Sequence, residues 1–338
     1  MNIGKISENV YKRSVLRVIQ PNRVDGIKSA DLGEDCASFT DTGPDRRNTL
    51  VTTTGIINYT ERNMGKVAVY RAADLLAAAG AEPAGILVDI LLAPNQREIS
   101  LKRIVADLEE TAAACNMQVM QVQAEVTDQV SHTVLTMTGI GYQIAAGAGL
   151  SAGAVQPGQD IVMTKYIGVE GTYLLADALR DKIIERLPVS FVDRILAEPG
   201  RMDSRLEAGI AAEHGAVCLH AVTEGGIFAA LWNMAERAGI GLKVDLKRIP
   251  VRQETVEFCE LWNLNPYQMM STGSLLCITD RGEELVEKLE KAGIPAAVIG
   301  LVTDNNDRIV VNEDETRYLD LPKSDEIHFI YDKIGERV

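Results

Sequence analysis

Residues 220–226 read His-Ala-Val-Thr-Glu-Gly-Gly, a combination suited to holding an anion. The apolar run Ala216, Val217, Cys218, Leu219 predicts a buried strand, and beyond the glycines Phe228, Leu231, Trp232 and Ala235 are spaced for one helical face. The first turn of a helix carries amide N–H groups without internal partners, and paired glycines let a phosphate approach them unobstructed. Thr223, Gly225 and Gly226 are therefore candidate phosphate contacts, with His220 beside them. Two adjacent glycines also fit a plain strand-to-helix turn.

Isolated acids form the second set. Magnesium takes hard oxygen ligands, commonly one or two carboxylates plus substrate phosphates. Candidates are Asp35 after Glu34, Glu125 after a strand-like run, and Asp74, flanked by Ala72, Ala73, Leu75 and Leu76. A carboxylate so placed either lies on a narrow solvated stripe or is held inward by a cation or hydrogen-bond donors. Lys66 at a helix start is a further candidate for phosphate, or simply a solvated lysine. The turn at residues 168–171 offers another possible helix start, or a strand terminator. No Walker loop is present, and the four histidines show no metal-ligand spacing.

These residues must be positioned by alternating elements. Helical periodicity covers 64–79, 101–115, 205–213, 226–238 and 283–292. Strand-like runs occupy 50–53, 85–92, 119–123, 133–142, 160–164, 242–244, 274–278 and 297–302. That order predicts an α/β (α+β) protein, and 338 residues suffice for two cores. The small, uncharged stretch 145–158 suits a linker, giving domains at 1–148 and 149–338. The charged segment after Asp304 reads as a surface tail with an apolar patch at 327–331. The run 134–140 fits either a pairing edge or a buried internal strand.

The chain carries 48 acidic and 34 basic residues, a net charge of −14, which disfavours nucleic acid and anionic membranes. A small nucleotide is still admissible, because charge is screened beyond about 10 Å. Without a membrane-length apolar run or an apolar signal core, a cytoplasmic location is expected. Five scattered cysteines argue against a disulfide framework or zinc site.

Taken together, residues 220–226, the Ile-Pro-Val-Arg segment at 249–252, residues 259–266 and the glycine-led strand at 273–278 resemble the aminoimidazole ribonucleotide synthase-like superfamily. The similarity is greatest to the E-type hydrogenase maturation family. Weaker counterparts follow in the first half at 33–37, 52–55, 72–83 and 123–127. The resemblance implies an N-terminal sheet domain that pairs two subunits, a C-terminal α+β domain, and a homodimer. It also implies Mg2+ and ATP, with Asp35, Asp74 and Glu125 holding metal and Thr223, Gly225 and Gly226 contacting phosphate; Asp74, with Lys66 and His220 from the reading of the residues above, completes the candidate nucleotide set. The expected chemistry is phosphorylation of an amide or carboxyl-type oxygen on an acceptor the residues do not specify.

The departures point elsewhere. Thr54 and Ala73 stand where the family has aspartate and asparagine, Gln123-Ala124 replaces a glycine pair, and Ala221, Val222 and Glu224 replace aspartate, proline and arginine. Glu224 cannot clamp phosphate as an arginine does. Residues 335–338 read Gly-Glu-Arg-Val and carry no cysteine, so modification of a terminal cysteine by the chain itself is not expected. Two further readings stay open: a catalytically degenerate binding or scaffold protein, and a thiamine monophosphate kinase-like phosphotransferase.

Overall fold

The structure, a computed structural model, describes residues 5–19, 25–41, 49–197 and 199–330. The expectations for residue 331 and for 335–338 fall outside the described residues.

A first sheet is built from β1 (Ile27–Lys28), β2 (Cys36–Thr40), β3 (Thr49–Ile57), β4 (Ala81–Leu92), β5 (Gln118–Val126) and β6 (Val134–Gln143), in the order β1-β2-β3-β6-β4-β5. The β4–β5 pair is parallel and the other pairs are antiparallel. Alternation along β3, β4 and β6 sorts Val51, Ile57, Ile86, Val88, Ile90, Leu135 and Met137 onto one buried face. The helices Met64–Ala78 and Glu98–Ala114 pack together on this side. The opposite face, with Thr54, Ile56, Asp89 and Glu125 exposed, is open in the single chain. The segment 134–140 lies inside the sheet between β3 and β4, so the edges are β1 and β5.

A second sheet contains β7 (Asp160–Thr164), β8 (Ala216–Val222), β9 (Gly241–Asp245), β10 (Ser274–Thr279), β11 (Ala296–Thr303), β12 (Arg308–Asn312) and β13 (Glu315–Tyr318), ordered β13-β12-β9-β11-β7-β10-β8. It is covered on both sides. Val162, Leu219, Leu275 and Cys277 face the main core, whereas Ile161, Met163, Cys218 and Leu276 face the helix Gly226–Ala238. Strands buried on both faces read as continuous apolar runs, as β7 and β10 do.

The helix Met64–Ala78 joins the halves. Fourteen of its fifteen residues are buried, which requires packing all round. It touches β3, β4 and β6 on one side, and β8 and the helix Arg205–Glu213 on the other.

The tail corrects the expectation of a surface segment. β12 and β13 extend the second sheet, and Ile327 and Ile330 enter the main core. Their aliphatic side chains remove apolar surface from water, which outweighs the charged residues around them.

Candidate functional site

Asp35 and His220 meet on the walls of one cleft between the two halves, with a volume of about 200 Å³. Asp35 precedes β2 and its carbonyl accepts the Thr53 hydroxyl at 2.8 Å. His220 belongs to β8 and not to the loop after it, opposite Leu276 of β10. The histidine is 5% exposed. Burial lowers its pKa, and the nearby Asp35 charge partly opposes this. A neutral imidazole facing a carboxylate can accept or pass a proton. Lys28 and Arg237 also line the cleft, both paired to Glu34 at 2.7 and 3.2 Å. Cys36 lies there too, its thiol raised to about 12 by burial and so held protonated.

The other expected ligands do not join this cleft. Asp74 is fully buried, and its two carboxylate oxygens accept the amides of Ser204 and Gly273, each at 2.8 Å. Burial raises its pKa to about 8, against the pull of the Ser204 bonds. Its role is to tie the Met64–Ala78 helix to the second half, which answers the need for inward donors without a metal. Lys66 faces Asp107 of the helix Glu98–Ala114 at 4.0 Å. Glu125 is exposed on the edge strand β5. Among the described residues, no group of three or more His, Cys, Asp or Glu is arranged to hold a metal ion. The convergence of Asp35, Asp74 and Glu125 expected above is therefore not present within one chain.

The glycine turn is formed, and its geometry has a structural cause. Gly225 and Gly226 adopt φ of 84° and 65°, in the left-handed region that disfavours other residues. A Cβ on Gly226 would lie 2.6 to 2.8 Å from backbone atoms of Tyr267 and Met269. The Gly225 amide is already taken, donating to Asp325 at 2.7 Å. The Thr223 carbonyl accepts the Gly226 amide at 3.1 Å. Gly168 is likewise engaged, its amide donating to the Ser271 hydroxyl at 2.7 Å.

A buried charged cluster lies beside this turn; of its acids the sequence singled out Glu224 but not Glu170. Glu170 accepts from Tyr59 at 2.9 Å, Arg71 at 3.0 Å and the Thr272 amide at 3.2 Å. Glu224 lies 3.4 Å from His328. Burial works to raise the Glu224 pKa, but His328, Lys5 and Arg71 outweigh it and hold it at about 2. The available signal was Arg71 three residues ahead of Asp74, which sets both on one helix face.

This two-sheet architecture belongs to a recognised family. The N-terminal domain of AIR synthase related proteins matches residues 33–143 and the C-terminal domain matches 156–312. The chain is a member of that family, close to HypE. It is 27% identical over 257 residues to carbamoyl dehydratase HypE of Azotobacter vinelandii, covering 74% of this chain and 73% of the relative. A putative hydrogenase expression/formation protein of Methanocaldococcus jannaschii is 23% identical over 341 residues, 96% of each chain. Among solved structures, a HypE–HypF complex aligns with a TM-score of 0.70 at 18% identity, over 86% of this chain and 94% of that one. HypE in complex with ATP aligns at 0.65 and 19%, over 96% and 97%. AaThiL complexed with AMPPCP and TMP aligns at 0.69 and 15%, over 93% and 96%. These structures share the fold. No helix among the described residues is long and apolar enough to cross a membrane.

Proposed function

We propose that this chain binds Mg-ATP at the Asp35–His220 cleft and activates an amide or carboxyl-type oxygen of an acceptor by phosphorylation. The observation that carries this reading is the meeting of an available carboxylate and a neutral buried imidazole in a cleft between the two halves. Nucleotide-bound relatives of the same fold support it. One carboxylate suits a magnesium ion that arrives with phosphates and keeps several waters, and does not suit a preformed all-protein metal cage. Asp35 would hold that ion, and His220 would orient or deprotonate the acceptor. We read residues 1–148 and 149–338 as the two functional units. The exposed sheet face with Thr54 and Ile56 would join two copies, and Glu125 would reach a site only through that pairing. The HypE–HypF complex makes a protein acceptor a reasonable candidate, beside a small molecule.

Thermal unfolding with and without Mg-ATP tests the nucleotide step. Ligand at a hundred times its Kd adds about 2.7 kcal/mol. A shift in the unmodified chain, lost in Asp35→Asn, is the expected result; no shift at millimolar Mg-ATP sinks the reading.

A second reading, a binding or scaffold protein without turnover, is favoured by the structural use of Asp74 and by the engaged Gly225 amide. Phosphate release measured on the intact protein separates it from the enzyme. Direct assay with thiamine monophosphate tests the kinase-like alternative.

A further inference from the structure

The helix Gly226–Ala238, strand β13 and the loop after it enclose a cavity of about 300 Å³ that shares no lining residue with the Asp35–His220 cleft. A second cavity of about 290 Å³ adjoins it, with Asn265, Val310 and Arg317 walling both. Phe228 lines the first and Tyr267 the second. Their rings stack, with centres 5.2 Å apart and planes 8° from parallel, and the Arg317 guanidinium stands over Phe228 at 5.7 Å. A cation is attracted to the face of an aromatic ring, which gives a side chain of an exposed edge strand a defined place.

Hydrogen-bond donors without acceptors converge on the first cavity. Among the described residues no carboxylate is within ion-pair distance of Arg317, so its fork of N–H groups is uncommitted. Asn265 gives its side-chain oxygen to the Tyr267 amide at 3.1 Å, capping the turn Pro266–Gln268, and this leaves its NH2 group to donate. The Gln268 side chain is likewise without a partner among the described residues. Asp320, the acid lining this cavity, is paired with Lys323 at 2.7 Å. Arg317 and Lys323 against Asp320 leave one positive charge, in a chain whose net charge is −14. Glu315 lines only the second cavity and makes it neutral, so an anion belongs in the first.

We propose that this cavity binds a small carboxylate carried on an aromatic or branched apolar body. Arg317 takes the carboxylate, because both of its oxygens fit the guanidinium fork, and Asn265 and Gln268 donate to the same oxygens. The single unpaired positive charge matches a monoanion, whereas a phosphate monoester brings about two negative charges. Phe228, Val310, Leu319 and Leu321 supply the apolar wall that the body covers. The site is built from side chains and does not depend on where a nucleotide binds.

The test is calorimetry on the full chain with phenylacetate and 4-methylpentanoate, beside phenylacetamide, acetate and phenyl phosphate. At least one of the first two is expected to bind with a Kd on the order of millimolar or tighter. The neutral amide and the bodiless acetate are each expected to bind roughly tenfold more weakly, and phenyl phosphate no more tightly. Arg317→Gln, on an exposed edge strand, should keep the unfolding midpoint and weaken the carboxylate roughly tenfold while leaving phenylacetamide unchanged. A structural role for Arg317 would move both ligands together, and that result overturns the assignment. Absence of binding by both carboxylates, equal affinity for phenylacetate and its amide, or tighter binding of phenyl phosphate also overturns it. Should Arg317→Gln fail to fold, Arg317→Lys keeps the charge without the fork: weakened carboxylate binding supports the site, and unchanged binding overturns it.

Discussion

Arg71 and Glu170, 99 residues apart, form an ion pair at 3.0 Å with both side chains almost wholly withdrawn from water. Arg71 comes from the helix of the first half and Glu170 from the start of the helix Val169–Ala178 in the second, so the pair crosses the seam between them. Tyr59 completes the arrangement: its hydroxyl donates to Glu170, and Arg71 sits 5.4 Å from its ring centre.

Breaking such a pair from one side strands the other charge. Glu170→Gln or Arg71→Met is expected to cost about 3–5 kcal/mol, and the double variant much less than the sum of the two. Urea denaturation of all four proteins provides the cycle. Additive losses would show that the pair is not coupled.

Asp74 gives stability a pH dependence of unusual sign. Its folded pKa of about 8 lies above the unfolded value of about 4, so the folded chain keeps a proton that the unfolded chain releases. Stability from this group is complete below pH ~4 and is lost as pH rises toward 8. Asp325, raised to about 7 by burial, adds in the same direction over a narrower window. Glu224, held at about 2, opposes both by losing stability below its unfolded pKa. Denaturation midpoints are expected to fall between pH 5.5 and 8, on the order of 1 kcal/mol or more, and to fall less in Asp74→Asn. An unchanged slope in that variant would contradict the assignment.

Local regularities were legible and long-range ones were not. The helices Arg205–Glu213 and Gly226–Ala238 match their expected bounds because one apolar face repeats cleanly along each. The helix Gln253–Trp262 and the strands β12 and β13 had no such pattern: their residues are partly exposed and mixed in type. Asp74 was marked as anomalous in an apolar helix, which is correct, but composition cannot tell a cation from two backbone amides. Asp35 and His220 were both singled out, yet only the fold brings residues 185 positions apart to one cleft. Glu170 and Asp325 were invisible because each looks like an ordinary surface acid until its partner arrives.

Gly226 separates a turn required by packing from one required by backbone shape alone. Gly226→Ala would place a methyl within 2.8 Å of backbone atoms at φ 65°, whereas Gly158, at φ 91°, has nothing within 4 Å of the added atom. Gly158→Ala is expected to cost about 1–2 kcal/mol from strain alone, and Gly226→Ala clearly more, since backbone of residues 267–269 must also move. Thermal or urea unfolding of the two variants compares them directly. Equal losses would remove the packing argument and leave the turn a matter of φ only.

The open face of the first sheet bears on assembly. Ile56 is 58% exposed and Met120 56%, on a sheet whose other face is fully packed. Apolar side chains on an exposed sheet face gain by covering one another, and a lysine among them adds charge that must be desolvated on association. Sedimentation velocity of the unmodified chain is expected to show a dimer, and Ile56→Lys to shift it toward monomer by tenfold or more in dissociation constant, about 1.4 kcal/mol. At concentrations low enough to keep both proteins monomeric, the variant's unfolding midpoint should match that of the unmodified chain, because residue 56 faces solvent in the isolated chain. A dimer unaffected by this substitution would place the contact elsewhere, and with it would go the route by which Glu125 could reach a shared site.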